Sequence, residues 1–321
     1  MRSSERPIWY LASVITTHRL SSRMMRVTLG PAEQSAEPDH AVLDLDAFVS
    51  SGRPDEFVTL LLPTAGAPAA SVRSLLVETA EGTAAEPSAE ITTRYYSIRR
   101  WDPLAHTVDI DFVLHGHGPA ASWALNASPG ETIALGEPRG HHTPPADTDW
   151  IALVGDATAL PAIARILEFH ADRPDDPPIT AVIDVGEDDE HVLAHRPQDR
   201  IVWMHGSRGL ARADSHDGPD AADLPEAVRA LTERDGIGYV WFSGEASQMR
   251  TIRSRLRHTL RLPTARWQTM AYWRKDAERW RRRYEQLDPA TTQLLEAIYT
   301  SEEDDEVMRD RAEAVFVANG L

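Results

Sequence analysis

The sequence predicts an α+β chain of two domains in series, an N-terminal antiparallel β-barrel and then a parallel α/β sheet, with a C-terminal helical extension. Three observations carry this prediction. The first half holds short β-rich segments separated by Pro, Gly and Ser. From Trp150 onward, apolar runs alternate with helical stretches. After Arg274 the chain turns basic and helical. The boundaries fall at 1–145, 146–274 and 275–321, and 321 residues suffice for two cores.

The barrel strands are read at Met24–Leu29, Phe57–Leu62, Arg94–Arg99, Thr107–His115 and Glu131–Leu135. In Thr107–His115 the residues Val108, Ile110, Phe112 and Leu114 alternate with Asp109 and Asp111, the period of a strand with one buried face. Gly66–Glu90 is rich in Ala, Ser and Glu with weak periodicity, and reads as a mobile loop. In the second domain, strands are expected at Trp150–Val154, Ile179–Val185, Ile201–His205, Tyr239–Ser243 and Arg266–Tyr272. Helices are expected at Thr158–His170, Asp223–Arg234 and Ala246–Leu260. In the extension, Lys275–Gln286 is a basic helix, Asp288-Pro289 is a helix start, and a last helix runs toward Asn319.

Composition excludes several classes of function. There are no cysteines, so disulfides, Cys-ligated zinc, iron–sulfur clusters and thiol redox chemistry are absent. Any electron carrier is therefore an organic cofactor or a metal held by N and O ligands. The net charge is −17, spread as −19 over residues 1–249 and +2 over residues 250–321. Nucleic acid is an improbable partner for so acidic a body. No apolar run reaches the roughly 18 residues that cross a bilayer, and the N-terminus lacks a signal-peptide core, so a cytoplasmic protein without stable membrane association is expected.

Three stretches carry candidate chemistry. In Arg94-Tyr95-Tyr96-Ser97, residues two apart share a face, so Arg94 can clamp a phosphate beside the ring of Tyr96, and Ser97 can donate to a flavin ring atom. An ordinary exposed strand with a cation–π pair has the same shape. In His115-Gly116-His117-Gly118-Pro119-Ala120-Ala121-Ser122, a strand ends and a helix opens, presenting free N–H groups suited to a pyrophosphate, or simply a strand–helix turn. Gly155-Asp156-Ala157-Thr158-Ala159-Leu160-Pro161 follows the first parallel strand, where ligands bind in such sheets, though it is not GxGxxG. Ser243-Gly244-Glu245 follows a later strand and can line the same crevice. A barrel before a parallel sheet suggests flavin first and nicotinamide second, an argument from analogy.

Taken together and in this order, these stretches resemble the siderophore-interacting protein family, FAD-dependent ferric-siderophore reductases of the ferredoxin–NADP reductase superfamily. The resemblance spans roughly residues 8–274 and rests on RYYSIRR (Arg94–Arg100), DFVLHGHGPAASW (Asp111–Trp123), GEPRG (Gly136–Gly140), GDATALPAIARILE (Gly155–Glu168), SGEAS (Ser243–Ser247) and YWR (Tyr272–Arg274). It implies that Arg94, Tyr95, Tyr96 and Ser97 hold FAD. Asp111, Val113, His115 and the turn Gly118, Pro119, Ala120, Ala121 and Ser122 would wrap its ribityl and pyrophosphate. Gly155, Asp156, Thr158, Ala159, Pro161, Gly244 and Glu245 would face NADH or NADPH. Arg139, Trp273, Arg274 and Lys275 would meet an anionic ferric siderophore. No resident metal is implied.

The sequence departs from the family pattern where Ala157 replaces a common Glu, where Thr59 replaces a common Lys, where Ala121 precedes Ser122 in the pyrophosphate turn, and where Ala271 and Lys275 flank the Tyr-Trp-Arg run. These changes bear on siderophore preference and coenzyme affinity more than on fold. The implied chemistry is coherent. A nicotinamide gives two electrons as hydride while ferric iron takes one, so a flavin must divide the pair. Ferric iron is hard and held tightly by oxygen donors, and reduction loosens it. Three alternatives stay open: a reductase of the same superfamily with a quinone or protein acceptor, a non-enzymatic siderophore-binding protein, and a metal site at the pairs His115/His117 and His141/His142. Ferredoxin is an alternative electron donor. Arg208 and Arg212 are candidates for a 2′-phosphate contact.

Overall fold

The computed structural model describes residues 8–32, 42–63, 72, 76–79, 82–85, 91–114, 118–186, 193–205, 224–301 and 305–321. His115, His117, Arg208 and Arg212 lie outside the described residues.

Residues 9–136 fold as the predicted barrel. Its strands are β1 (Trp9–Arg19), β2 (Met24–Pro31), β3 (Val42–Asp44), β4 (Phe57–Pro63), β5 (Leu76–Thr79), β6 (Gly82–Ala85), β7 (Ile91–Asp102), β8 (Thr107–Val113) and β9 (Thr132–Gly136). The order β2-β8-β7-β4-β9-β1 closes on itself through a β1–β2 pairing, so six antiparallel strands leave no open edge. Short β3 adds to β1 in parallel. Alternate residues fill the interior: Val58, Leu60 and Leu62 of β4 face Val108, Ile110 and Phe112 of β8 across the core. Helix α1 (Pro119–Asn126) packs against this core with Ala120, Trp123 and Ala124. Trp123 Nε1 donates to Glu131 Oε1 at 2.7 Å, which satisfies its one polar atom.

The Gly66–Glu90 segment differs from the expected mobile loop. It contains the antiparallel hairpin β5–β6. Val72 and Leu76 are buried against Leu11, Leu61 and Ala134, residues that point outward from the barrel. An apolar outer face on β4 and β9 has to be covered, and Val72 and Leu76 of this stretch cover it.

The second domain is a five-stranded, all-parallel sheet: β10 (Trp150–Asp156), β11 (Ile179–Asp184), β12 (Arg200–Met204), β13 (Gly238–Glu245) and β14 (Trp267–Trp273), in the order β12-β11-β10-β13-β14. Helix α2 (Leu160–Ala171) covers one face, packing Ile163 and Leu167 on Ile151 and Leu153. Helices α3 (Leu224–Thr232) and α4 (Ala246–Ser254) cover the other, over Ala152 and Val154. Burial on both faces explains why β10 reads as an unbroken apolar run. A π-helical turn, Arg255–Thr259, continues α4. The extension forms α5 (Ala277–Glu285), α6 (Pro289–Tyr299) and α7 (Asp305–Ala318). Asp288 caps α6 as predicted, accepting from the backbone N–H groups of Ala290 and Thr291. Leu295, Ile298, Met308 and Ala312 give α6 and α7 a small core of their own.

Polar side chains stitch the barrel to the sheet. Fully buried Asp55 accepts from Trp241 Nε1 of β13 at 3.1 Å and from the backbone N–H groups of His141 and His142 at 2.8 and 2.9 Å. Arg165 of α2 reaches Glu56 at 3.3 Å and the Ile98 carbonyl at 2.9 Å. Arg99 of β7 holds Glu168 of α2 with two bonds of 3.0 and 2.6 Å. Met24 and Val113 of the barrel join the hydrophobic cluster under α2.

Candidate functional site

The strand order reverses at β10, which has β11 on one side and β13 on the other. In an open parallel sheet the crevice outside the carboxyl ends at such a switch point is the ligand site. Here those ends are Gly155-Asp156 and Ser243-Gly244-Glu245. The backbone is tight at this place. A Cβ on Gly155 would lie 2.4 Å from Ala159 Cβ and 2.6 Å from the Ser243 carbonyl oxygen, so only glycine fits. A Cβ on Gly244 would lie 2.9 Å from Asp156 Oδ2.

Asp156 is buried and fully engaged. Its Oδ1 accepts from Thr158 N at 2.9 Å and Thr158 Oγ1 at 2.5 Å, while Oδ2 accepts from Trp273 Nε1 at 2.6 Å. Burial raises its pKa, against these three donors, and Glu245 raises it further. Asp156 thereby links the Gly-Asp-Ala loop to the Tyr-Trp-Arg run. Glu245 is likewise occupied: Oε2 accepts from the backbone N–H groups of Ser247 and Gln248 and from Ser247 Oγ, capping α4, and Oε1 accepts from Lys275 N at 3.2 Å. Neither carboxylate stands free for a coenzyme. Ala159 and Pro161 open α2, with Ala159 buried and Pro161 in the first turn.

From the barrel side, Ser97 is buried, and its Oγ donates to the Tyr272 phenol oxygen at 3.2 Å. Burial pushes the Tyr272 hydroxyl up to about 12, so it stays protonated. Tyr96 and Arg94 share a face of β7, as the period of two requires. The Tyr96 ring lies 4.3 Å from that of Phe112, and burial keeps its hydroxyl protonated. Arg94 Nη1 donates to the Thr93 carbonyl at 2.7 Å. Burial lowers the Arg94 pKa, and the positive charge of Arg281 in α5 lowers it further. Tyr95 points the other way, 68% exposed, with its ring 6.1 Å from Phe57. Its pair partner on β4 is Thr59.

The turn before α1 suits an anion. Gly118 is its N-cap with no side-chain cap, and Pro119 opens the helix, so no capping side chain among the described residues takes up its first-turn N–H groups. Ala120 and Ala121 are buried there, and Ser122 is part-buried. Asp111 is held by Arg26 through bonds of 2.7 and 2.9 Å, and Val113 is buried under α2. A cavity between the barrel and α2 is lined by Arg26, Arg99 and Asp111 on one side and by Leu160, Pro161 and Ala164 on the other. The structure thus brings Asp111 and Pro161 to a single interdomain space.

The residues fit an FAD. An uncapped helix N-terminus, a half-buried Arg94 beside Tyr96 on one strand, and a buried Ser243 Oγ with no well-formed hydrogen bond among the described residues are polar groups placed to meet such a ligand. Arg139 is exposed, and its main chain pairs with Phe57 at 2.7 and 2.9 Å. Trp273 and Arg274 are half-buried at the end of β14, and Lys275 is exposed.

Two features escaped the sequence reading. Arg26 pairs with Asp111 directly across from it, and Thr28 Oγ1 donates to Asp109 at 2.6 Å. The i, i+2 spacing of both pairs was the available signal. Trp280 and Tyr284, four apart in the basic helix, stack on each other beneath Arg274. The adjacent histidines also part company. The His141 ring is exposed near Phe57, whereas His142 is buried with Nε2 3.2 Å from His170 Nε2. Among the described residues, no group of three or more His, Asp or Glu side chains is arranged to hold a metal ion. Among the same residues, no helix is long and apolar enough to cross a membrane.

Comparison with known proteins places this geometry. Residues 13–142 match the family model of the siderophore-interacting FAD-binding domain, and residues 148–276 match that of the siderophore-interacting protein. An uncharacterized protein of Mycobacterium tuberculosis is 32% identical, over 82% of this chain and 89% of that protein. The NADPH-dependent ferric-chelate reductase of Escherichia coli is 27% identical, over 81% and 91%. The crystal structure of a siderophore utilization protein from T. fusca superposes with a TM-score of 0.63 at 26% identity, covering 85% of this chain and 95% of that one.

Proposed function

The chain belongs to the siderophore-interacting protein family, and from that membership we propose that it is an FAD-dependent ferric-siderophore reductase, moving electrons from NADH or NADPH to siderophore-bound Fe(III). The observation that carries the reading is convergence. Ser97 of the barrel meets Tyr272, and Trp273 meets Asp156, so three separate motifs share one crevice at the switch point.

In this reading, residues 1–145 bind FAD, residues 146–274 bind the nicotinamide coenzyme, and residues 275–321 are an appendage to both. Arg94 and the α1 N-terminus would take the FAD phosphates, Tyr96 would lie against the isoalloxazine, and Ser97 would donate to a ring nitrogen. Bound FAD supplies acceptance of a hydride and release of electrons one at a time. Gly155 lets a coenzyme approach the backbone closely. Asp156 positions Trp273 at the crevice rather than meeting the coenzyme itself. Arg139, Arg274 and Lys275 offset the charge of an anionic chelate in a chain that is otherwise strongly acidic. The chain need not ligate iron: each NADH or NADPH that is oxidised yields electrons for two ferric ions, and Fe(II) leaves a hard-oxygen chelator readily.

The test is a steady-state assay of the FAD-loaded protein with NADH and with NADPH, using a ferrous-iron trap, ferric siderophores as acceptors and a quinone for comparison. Trapped Fe(II) that depends on protein, coenzyme and ferric siderophore supports the reading. Turnover with the quinone alone would replace it.

A further inference from the structure

The helical extension is built into the site. Arg274, the last residue of the Tyr-Trp-Arg run, places its guanidinium carbon 4.5 Å from the centre of the Trp280 ring in α5. Trp280 is fixed from beneath: it stacks on Tyr284 at 5.1 Å and 17°, and its ring lies 5.8 Å from Phe316 of α7. Arg283 Nη1 donates to the Gly320 carbonyl at 2.6 Å, tying α5 to the end of α7. Helix α7 is pinned to α4 and its π-helical continuation by Arg250–Glu313 at 3.1 Å, Arg253–Asp310 at 2.9 Å and Arg257–Asp310 at 2.6 Å. Lys275 N, between motif and helix, is held by Glu245. The carboxylates that face Arg274, Glu245 and Glu313, are engaged with the α4 cap and with Arg250.

Stacking uses the face of a guanidinium and leaves its N–H edge free to donate. An arginine held in this way also loses less side-chain freedom when it binds an anion. We propose that Trp280 is a positioning residue for substrate recognition, its indole holding the Arg274 guanidinium edge toward an anionic ferric chelate, so that the extension sets affinity for negatively charged chelates. This rests on the ferric-siderophore reading of the site. Trp280 lies beyond residue 276, where the family model match ends.

The test titrates the FAD-loaded full chain, without reductant, with a trianionic iron(III) tris-catecholate and with a neutral iron(III) tris-hydroxamate. Trp280→Ala weakens tris-catecholate binding about fivefold and leaves tris-hydroxamate binding nearly unchanged. Trp280→Phe, which keeps a ring, restores most of the loss. In turnover the Trp280→Ala defect falls on the chelate KM rather than on kcat, and it adds nothing in an Arg274→Ala background. Leu294→Ala, exposed on α6, serves as the control and leaves binding unchanged. Wild-type affinity in Trp280→Ala, an equal loss for both chelates, or the same loss in Trp280→Phe each overturns the positioning role alone. A wild-type chain that neither binds nor reduces either chelate overturns the functional reading, and the positioning role with it.

Discussion

Ser97 Oγ donates to the Tyr272 phenol oxygen at 3.2 Å, a bond between β7 of the barrel and β14 of the sheet, across 175 positions of sequence. It closes the two domains on each other at the place where FAD is proposed to lie. The bond also defines a choice, because one hydroxyl hydrogen serves either the phenol or a flavin ring nitrogen.

Ser97→Ala removes that donor from a buried place. FAD stays bound, and the rate of flavin reduction by NAD(P)H falls about tenfold, the scale of one lost hydrogen bond. Tyr272→Phe lowers the unfolding free energy by about 1 kcal/mol. Rapid mixing under nitrogen and urea titration read the two effects, and a Ser97→Ala protein that reduces at the wild-type rate contradicts the assignment.

Asp156 holds a buried carboxyl group against three donors, one of them Trp273. Asp156→Ala strands those donors and costs about 2–4 kcal/mol. Trp273→Phe removes one donor and costs less. In a double-mutant cycle the two changes are non-additive, because they share one bond. Additive losses would show that Asp156 does not position Trp273.

His142 and His170 set an acid limit on stability. Burial, then His170, then Arg53 hold His142 neutral, with its pKa lowered to about 3. Burial also lowers His170, opposed by Asp176, whose Oδ2 lies 2.6 Å from Nδ1, and aided by Arg196 and Arg173. Tyr239 packs its ring on His142, and Asp55 accepts from the His142 backbone. An unfolded histidine titrates near pH 6.5. Below that pH the unfolded chain binds protons that the folded chain refuses, so stability is lost as pH falls from about 6.5 toward 3. His142 alone contributes a slope of up to about 1.4 kcal/mol per pH unit. His142→Phe makes the slope between pH 6 and 4.5 shallower than in the wild type; an unchanged slope would refute the claim.

Arg94→Ala removes the proposed phosphate clamp. FAD affinity falls about 10- to 100-fold, in line with loss of a charge-assisted hydrogen bond. Recovery of free-flavin fluorescence on dilution measures it. Undiminished retention of FAD would move the phosphates elsewhere.

Much of this was legible in the chain, and the reasons differ by element. β8 announced itself because Val108, Ile110 and Phe112 fill the barrel core while Asp109 and Asp111, on the other face, pair with Thr28 and Arg26, which writes a period of two into Thr107–Val113. β10 announced itself by the opposite pattern, since helices cover both its faces. β1 was missed: the second half of the strand is largely exposed, and a bulge between Val14 and Thr16 breaks its alternation. Candidate motifs could be named from local chemistry, yet their meeting could not. Ser97–Tyr272 and Asp156–Trp273 depend on how two domains dock. Nor did Asp156 and Glu245 reveal that internal donors occupy them. The Arg274–Trp280 stack depends on Asp276 adopting φ 55°, a left-handed turn at a residue other than glycine, which no sequence pattern here signals.

The most direct measurement is an anaerobic titration in which FAD-loaded protein, bleached by NADH or NADPH, receives a ferric siderophore while the visible spectrum and free Fe(II) are followed together. The proposed reductase regains its yellow bands as two Fe(II) appear for each flavin reoxidised. Bands that stay bleached while every ferric siderophore tried remains ferric would contradict the account.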